Sequence, residues 1–239
     1  MLLRRFEVAD PMLQKTQGIV VHYIKYRETS IIVKIFTRDL GLKSYIVNSV
    51  RSAKSKSRIA LYQPLSLLDL VVYDKEGASL NRIAEVKMLY AFQRIPFDFY
   101  RSGVAMFVAE VLGKAIYDNY QNEPLFDFLS AAITLLDGEQ LNLSVYPHSF
   151  LLQLSQFLGF SPADATEFYE QLQQGVGSIP IGPEDREYFN ELMNTPFGSS
   201  CKIPGTIRRK IMDHLLLHYK LHLDTFEEIK SVKVLTQMM

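Results

Sequence analysis

The chain alternates in its first third and turns helically periodic afterwards. From Lys15 to Tyr26 the run KTQGIVVHYIKY is β-branched and aromatic; after a polar RETS turn, IIVKIFT from Ile31 to Thr37 reads as the second arm of a hairpin. Arg38 to Gly41 make the next turn, and a third strand from Leu42 to Val50 puts Leu42, Ile46 and Val50 on one face. Lys43, Tyr45, Val47 and Arg51 fall on the other. A Lys/Ser-rich loop with Lys54, Lys56 and Arg58 follows, then one helical turn from Ile59 to Gln63 ended by Pro64. Leu65 to Tyr73 and Leu80 to Tyr90 are the fourth and fifth strands, joined across Gly77. Five short antiparallel strands, with the longest connection after the third, predict a small oligonucleotide-binding (OB) barrel.

The period changes at Pro96. Tyr100, Val104, Phe107, Val108, Val111, Leu112 and Ala115 recur at three and four, predicting a helix from Phe97 to Tyr120. Further helices are expected at 125–136, 146–158, 163–173, 184–193 and 206–222. The expected class is α+β: an N-terminal extension (1–14), a five-stranded OB-fold β-barrel (15–92) and an all-α helical domain (93–239).

Charge sharpens this division. The formal net charge is zero, yet residues 1–90 hold 15 Lys and Arg against 8 Asp and Glu, residues 91–200 hold 4 against 14, and residues 201–239 hold 7 against 4. A basic module on an acidic body suits a polyanionic ligand on one part and a protein partner on the other. The single cysteine, Cys201, allows neither a disulfide framework nor a cysteine-based zinc cluster. MLLRRF begins like a charged leader, but Glu7, Asp10 and Pro11 interrupt it, and no run of about 18 apolar residues could span a bilayer. A cytoplasmic, nucleoid-associated protein with no membrane partner is expected.

No phosphate-loop, nucleophile-elbow or dinucleotide fingerprint occurs, so no catalytic residue and no cofactor is assigned. His214, His218 and His222 are spaced four apart on one helix. His214 and His222, eight residues apart, are separated by a helix rise of about 12 Å, too far for all three to hold one ion, and no metal is assigned to them. The candidate chemistry is phosphate neutralisation by Lys34, Arg38, Lys43, Arg51, Lys54, Lys56 and Arg58, with Tyr45 as a ring for base stacking. Lys25 and Arg27 add to that surface. Arg208, Arg209 and Lys210 form a second basic cluster where a helix starts, against its macrodipole.

Residues Lys15 to Arg51, KTQGIVVHYIKYRETSIIVKIFTRDLGLKSYIVNSVR, resemble the amino-terminal barrel of the bacterial DNA repair protein family RecO. HSFLLQLSQFLGF from His148 and IRRKIMDHLLLHYKLHLDTFEEIKSVKVL from Ile207 resemble its later parts, in the same order. The resemblance implies a non-enzymatic recombination mediator that binds single- and double-stranded DNA and anneals strands coated by single-strand-binding protein (SSB). It also implies docking of the SSB C-terminal tail and, with RecR, loading of RecA, an indirect partner. Many relatives carry a four-cysteine zinc cluster after the segment matching 159–162; residues 163–182 hold no cysteine, so zinc is not carried over. The alternative reading is a protein-interaction adaptor whose barrel is a scaffold with little DNA affinity. A metal-dependent hydrolase built on the histidine-rich helix is a third.

Overall fold

The computed structural model describes residues 12–51, 58–75 and 77–238. The chain divides into two compact units, one of residues 1–91 with 117–126, the other of residues 92–116 with 127–239.

The first unit is built on five strands: β1 (Met12–Tyr26), β2 (Ser30–Thr37), β3 (Gly41–Val47), β4 (Leu67–Asp74) and β5 (Asn81–Met88). Met12 to Gln14, expected to belong to an extension, are the start of β1 and pair with Asp74, Tyr73 and Val72 of β4. Alternation drives the core: Ile31, Val33 and Ile35 of β2 turn inward with Val20, Tyr45, Leu68, Leu70 and Val72. Gly18 lets β1 pass this crowded interior, because a Cβ there would stand 2.5 Å from Ile35 Cγ2.

The wholly antiparallel OB barrel of short strands is corrected. The strand order is β1-β2-β3-β5-β4, returning from β4 to β1. However, β1 runs for 15 residues, and β3 meets β5 in parallel through only Tyr45–Asn81 and Ile46–Arg82. A full antiparallel ladder does not close this seam. Ser49, at φ 60°, turns the chain out of β3, so among the described residues the rest of β5 has no strand opposite it on that side. The consequence is a groove along β5.

Residues 117–126 belong to this unit because they are fastened to the β2–β3 turn. Asn119 N–H donates to Leu42 O at 2.9 Å, Leu42 N–H to Tyr120 O at 3.1 Å, and Gln121 Nε2 to Asp39 O at 2.6 Å. These bonds explain why the helix expected to reach Tyr120 stops early. That helix, α1 (Phe99–Ala115), is capped by the Asp98 carboxylate on Arg101 N–H; Ile116 is extended, and Asn119 has φ 65°.

The second unit continues with α2 (Glu123–Leu136), whose first turn lies in the first unit, then α3 (Tyr146–Leu158), α4 (Ala165–Val176), α5 (Pro183–Asn194), α6 (Gly205–His222) and α7 (Val232–Met238). The pattern missed α7, which is only seven residues long. Phe168, Tyr169 and Leu172 bury one face of α4, with Phe168 stacked on Phe189 of α5 at 4.1 Å. Aromatic packing holds this segment.

Two crossed anchors tie the start of α1 to the end of α2. Arg101 donates to the carbonyls of Leu136 at 3.1 Å and Gly138 at 2.7 Å, satisfying acceptors that a helix end leaves open. In the other direction, the buried Asp137 carboxylate accepts the backbone N–H groups of Gln93, Arg94 and Ile95 at 2.7, 2.8 and 2.8 Å.

His148 of α3 is fully buried and donates Nε2–H to Arg208 O at 2.8 Å. Burial pushes its pKa down from 6.5 to about 4. Because the folded value is depressed, the unfolded chain binds the proton first. Stability contributed by the neutral ring is complete above pH 6.5 and is lost as pH falls toward 4. Urea unfolding across that window should show a loss on the order of 2–3 kcal/mol from this residue, and His148→Gln should flatten the slope.

Candidate nucleic-acid interface

The groove left beside β5 is the candidate site. It encloses about 580 Å³, with apolar walls from Ile46, Val47 and Val50 on the β3 side and Ile83 and Val86 on β5. Arg58, which starts the short 3-10 helix Arg58–Tyr62, stands on its rim with Arg82 and Lys87; all three are exposed, against one carboxylate, Glu85. A register shift between Val71 and Val72 makes this possible. Arg82 pairs with Tyr73, Glu85 with Val71 and Lys87 with Asp69, whereas Ile83 and Val86 oppose the inward Val72 and Leu70. Arg82 and Lys87, five apart, would lie on opposite faces of a regular strand; the bulge returns both to the outside.

The wall continues into a second basic group. Val50 lines the groove, and the next residue, Arg51, is held by its N–H on Thr29 O at 3.0 Å and by Nη1 on Arg27 O at 3.3 Å. Lys25 and Arg27 are exposed here, the Arg27 guanidinium lying 5.2 Å from the centre of the half-buried Tyr26 ring.

Three other expected contacts are engaged within the unit. Lys34 is 2.8 Å from Asp118, Arg38 is 2.5 Å from Glu123, and Lys43 is 3.6 Å from Asp74 with its side chain largely covered. The Lys34 ammonium also bears on His22, whose pKa is lowered first by burial and then by that charge, against Asp118.

Tyr45 is a correction. It is fully buried in the core, with its hydroxyl pKa raised by burial and by Asp74, so its ring cannot stack a base. The nearest aromatic to the groove, Tyr62, is also buried; burial pushes its hydroxyl up to about 12, against the pull of Arg58. Lys54 and Lys56 lie outside the described residues.

On α6 the second basic cluster is dispersed. Lys210 is ion-paired to the buried Asp185 carboxylate, Arg209 Nε bonds Gly205 O in its own helix, and Arg208 Nη1 donates to Ile203 O at 3.2 Å. Arg208 does border a separate pocket of about 400 Å³, with Tyr100, Val104, Leu141, Leu143 and Leu235 as its apolar lining. Sequence reasoning missed Arg82 and Lys87 and this pocket; the cations of the fifth strand were the available signal.

A basic groove in one unit and an apolar pocket with a guanidinium in the other are the candidate binding surfaces. The sequence places the chain further. Residues 12–92 match the profile for the recombination protein O N terminal, and residues 96–165 that for its C terminal. The chain is 34% identical to DNA repair protein RecO of Flavobacterium johnsoniae, over 94% of this chain and 98% of the relative. It is 35% identical to that of Phocaeicola vulgatus over 95% and 99%, and 33% identical to that of Bacteroides fragilis over 95% and 99%. The chain belongs to the RecO family of DNA repair proteins. It is a recombination mediator and not an enzyme. Among the described residues, no helix is long and apolar enough to cross a membrane.

Proposed function

We propose that the chain binds single-stranded DNA along the Arg58–Arg82–Lys87 groove and anneals complementary strands coated by SSB, acting with RecR to promote RecA loading. The observation that carries this reading is the groove itself, where exposed cations flank an apolar trough beside the part of β5 that is paired with β4 but not with β3. Cations on the rim neutralise phosphates, and release of condensed counterions supplies sequence-independent affinity. Lowering the charge on two strands reduces the repulsion that opposes their pairing, and no nucleotide hydrolysis is required. Duplex binds the same cations through its phosphates. Lys25, Arg27 and Arg51 extend the path, with Tyr26 in place of Tyr45 as the stacking ring. Lys34, Arg38 and Lys43 join only by exchanging their carboxylate partners for phosphate.

The pocket beside Arg208 suits the acidic, apolar C-terminal tail of SSB: Val104, Leu141, Leu143 and Leu235 can receive its apolar side chains, and the guanidinium a carboxylate. Annealing of complementary oligonucleotides coated with SSB tests both halves. Pairing faster than the uncatalysed reaction with intact SSB, and no acceleration with SSB lacking its tail, is the expected result. Equal rates with and without the protein contradict the reading.

A further inference from the structure

His218 and His222, one turn apart on α6, both direct Nε2 at the same atom, Oε1 of Gln171 on α4, at 2.8 and 3.3 Å. We propose that these two imidazoles and the Gln171 amide oxygen form a site for one borderline divalent transition-metal ion, such as Zn²⁺, with water completing its shell.

The spacing carries the proposal. With metal–nitrogen bonds of about 2.0–2.1 Å, two ligands of one ion stand about 2.9 Å apart in octahedral geometry and about 3.3 Å apart in tetrahedral geometry. The two Nε2–Oε1 hydrogen bonds, at 2.8 and 3.3 Å, hold these atoms near those values, and the ion takes the place of the two Nε2 protons while each ring keeps its proton on Nδ1. Phe160 fixes the rings, stacking on His222 at 4.9 Å with planes 7° apart and meeting His218 at 5.6 Å. His218 is buried while His222 is exposed, which gives an ion a route in from solvent.

His214 does not take part. It sits one turn further back, edge-on to Tyr169 at 5.5 Å. Among the described residues no cluster of three or more His, Cys, Asp or Glu is placed to hold a metal. Two imidazoles and an amide therefore give micromolar affinity rather than the tighter grip of a structural zinc site, and imidazole selects against Mg²⁺.

Calorimetric titration of the tag-free chain with ZnCl₂, using MgCl₂ as control, tests this. One equivalent of Zn²⁺ should bind with a Kd of roughly 1–50 µM. His222→Ala, at an exposed position, should weaken binding at least tenfold, whereas Gln171→Glu, which puts a carboxylate at the same place, should tighten it about tenfold. The gain in the second variant cannot arise from damaged folding. Cu²⁺ loaded into the chain should show coupling to two imidazole nitrogens by electron paramagnetic resonance. No Zn²⁺ heat above the Mg²⁺ control, or an affinity unmoved by both substitutions, overturns the site.

Discussion

Replacing Arg58, Arg82 and Lys87 together by alanine is expected to weaken binding of single-stranded DNA roughly 100-fold at moderate salt. Three partly solvated charge contacts at about 1 kcal/mol each give that factor. Loss should be nearly uniform across sequences, because phosphates carry no base identity. The slope of log K against log salt should also become shallower by about 2, from a coefficient of about 0.7 per contact. Stability should barely move, since all three side chains are exposed. Fluorescence anisotropy with a labelled oligonucleotide reads both quantities; unchanged affinity in the folded variant would remove the groove from the interface. The companion Lys34→Ala and Arg38→Ala substitutions should cost less, because each of these cations already has a carboxylate partner.

The largest expected effect on stability is at Asp137. Asp137→Ala removes the acceptor of three backbone N–H groups at a site only 1% exposed. Leaving such donors unpaired should cost about 3–5 kcal/mol in chemical denaturation. Asp137→Asn keeps one oxygen and should lose about half as much. The loss belongs to the helical unit, where the carboxylate holds residues 93–95 against the end of α2. A cost below about 1 kcal/mol for the alanine variant would show that this anchor is dispensable.

Much of the architecture was legible because local signals and tertiary packing agree. β-Branched runs became strands, three-four periodicity became helices, and both changed where Pro96 marks the break. The failures have a common cause: they depend on partners remote in sequence. In β3 both Leu42 and Tyr45 are buried. Tyr45 enters the core, while Leu42 bonds through its backbone to the segment around Tyr120, some eighty residues later. With apolar residues on both faces of a strand, alternation cannot say which face is the interior. Lys43 and Arg38 looked like free surface for the same reason, since Asp74 and Glu123 are supplied by other parts of the chain.

The candidate groove lies along β5 rather than β3 because of a bulge. Nothing in NRIAEVKM states that Arg82 and Lys87 share a side; the register against Val71 and Val72 decides it. Similarly, spacing alone placed three histidines along α6, and only the packing of α4 brings Gln171 to two of them.

The most direct test of the central claim is the affinity of the intact chain for a fluorescent single strand as salt is raised, with duplex as competitor. Five or six phosphate contacts, from Arg58, Arg82, Lys87 and the Lys25–Arg27–Arg51 group, predict a slope of roughly −3.5 to −4.2. Absence of binding even at low salt would contradict a DNA-binding groove and favour an adaptor that works through protein partners alone.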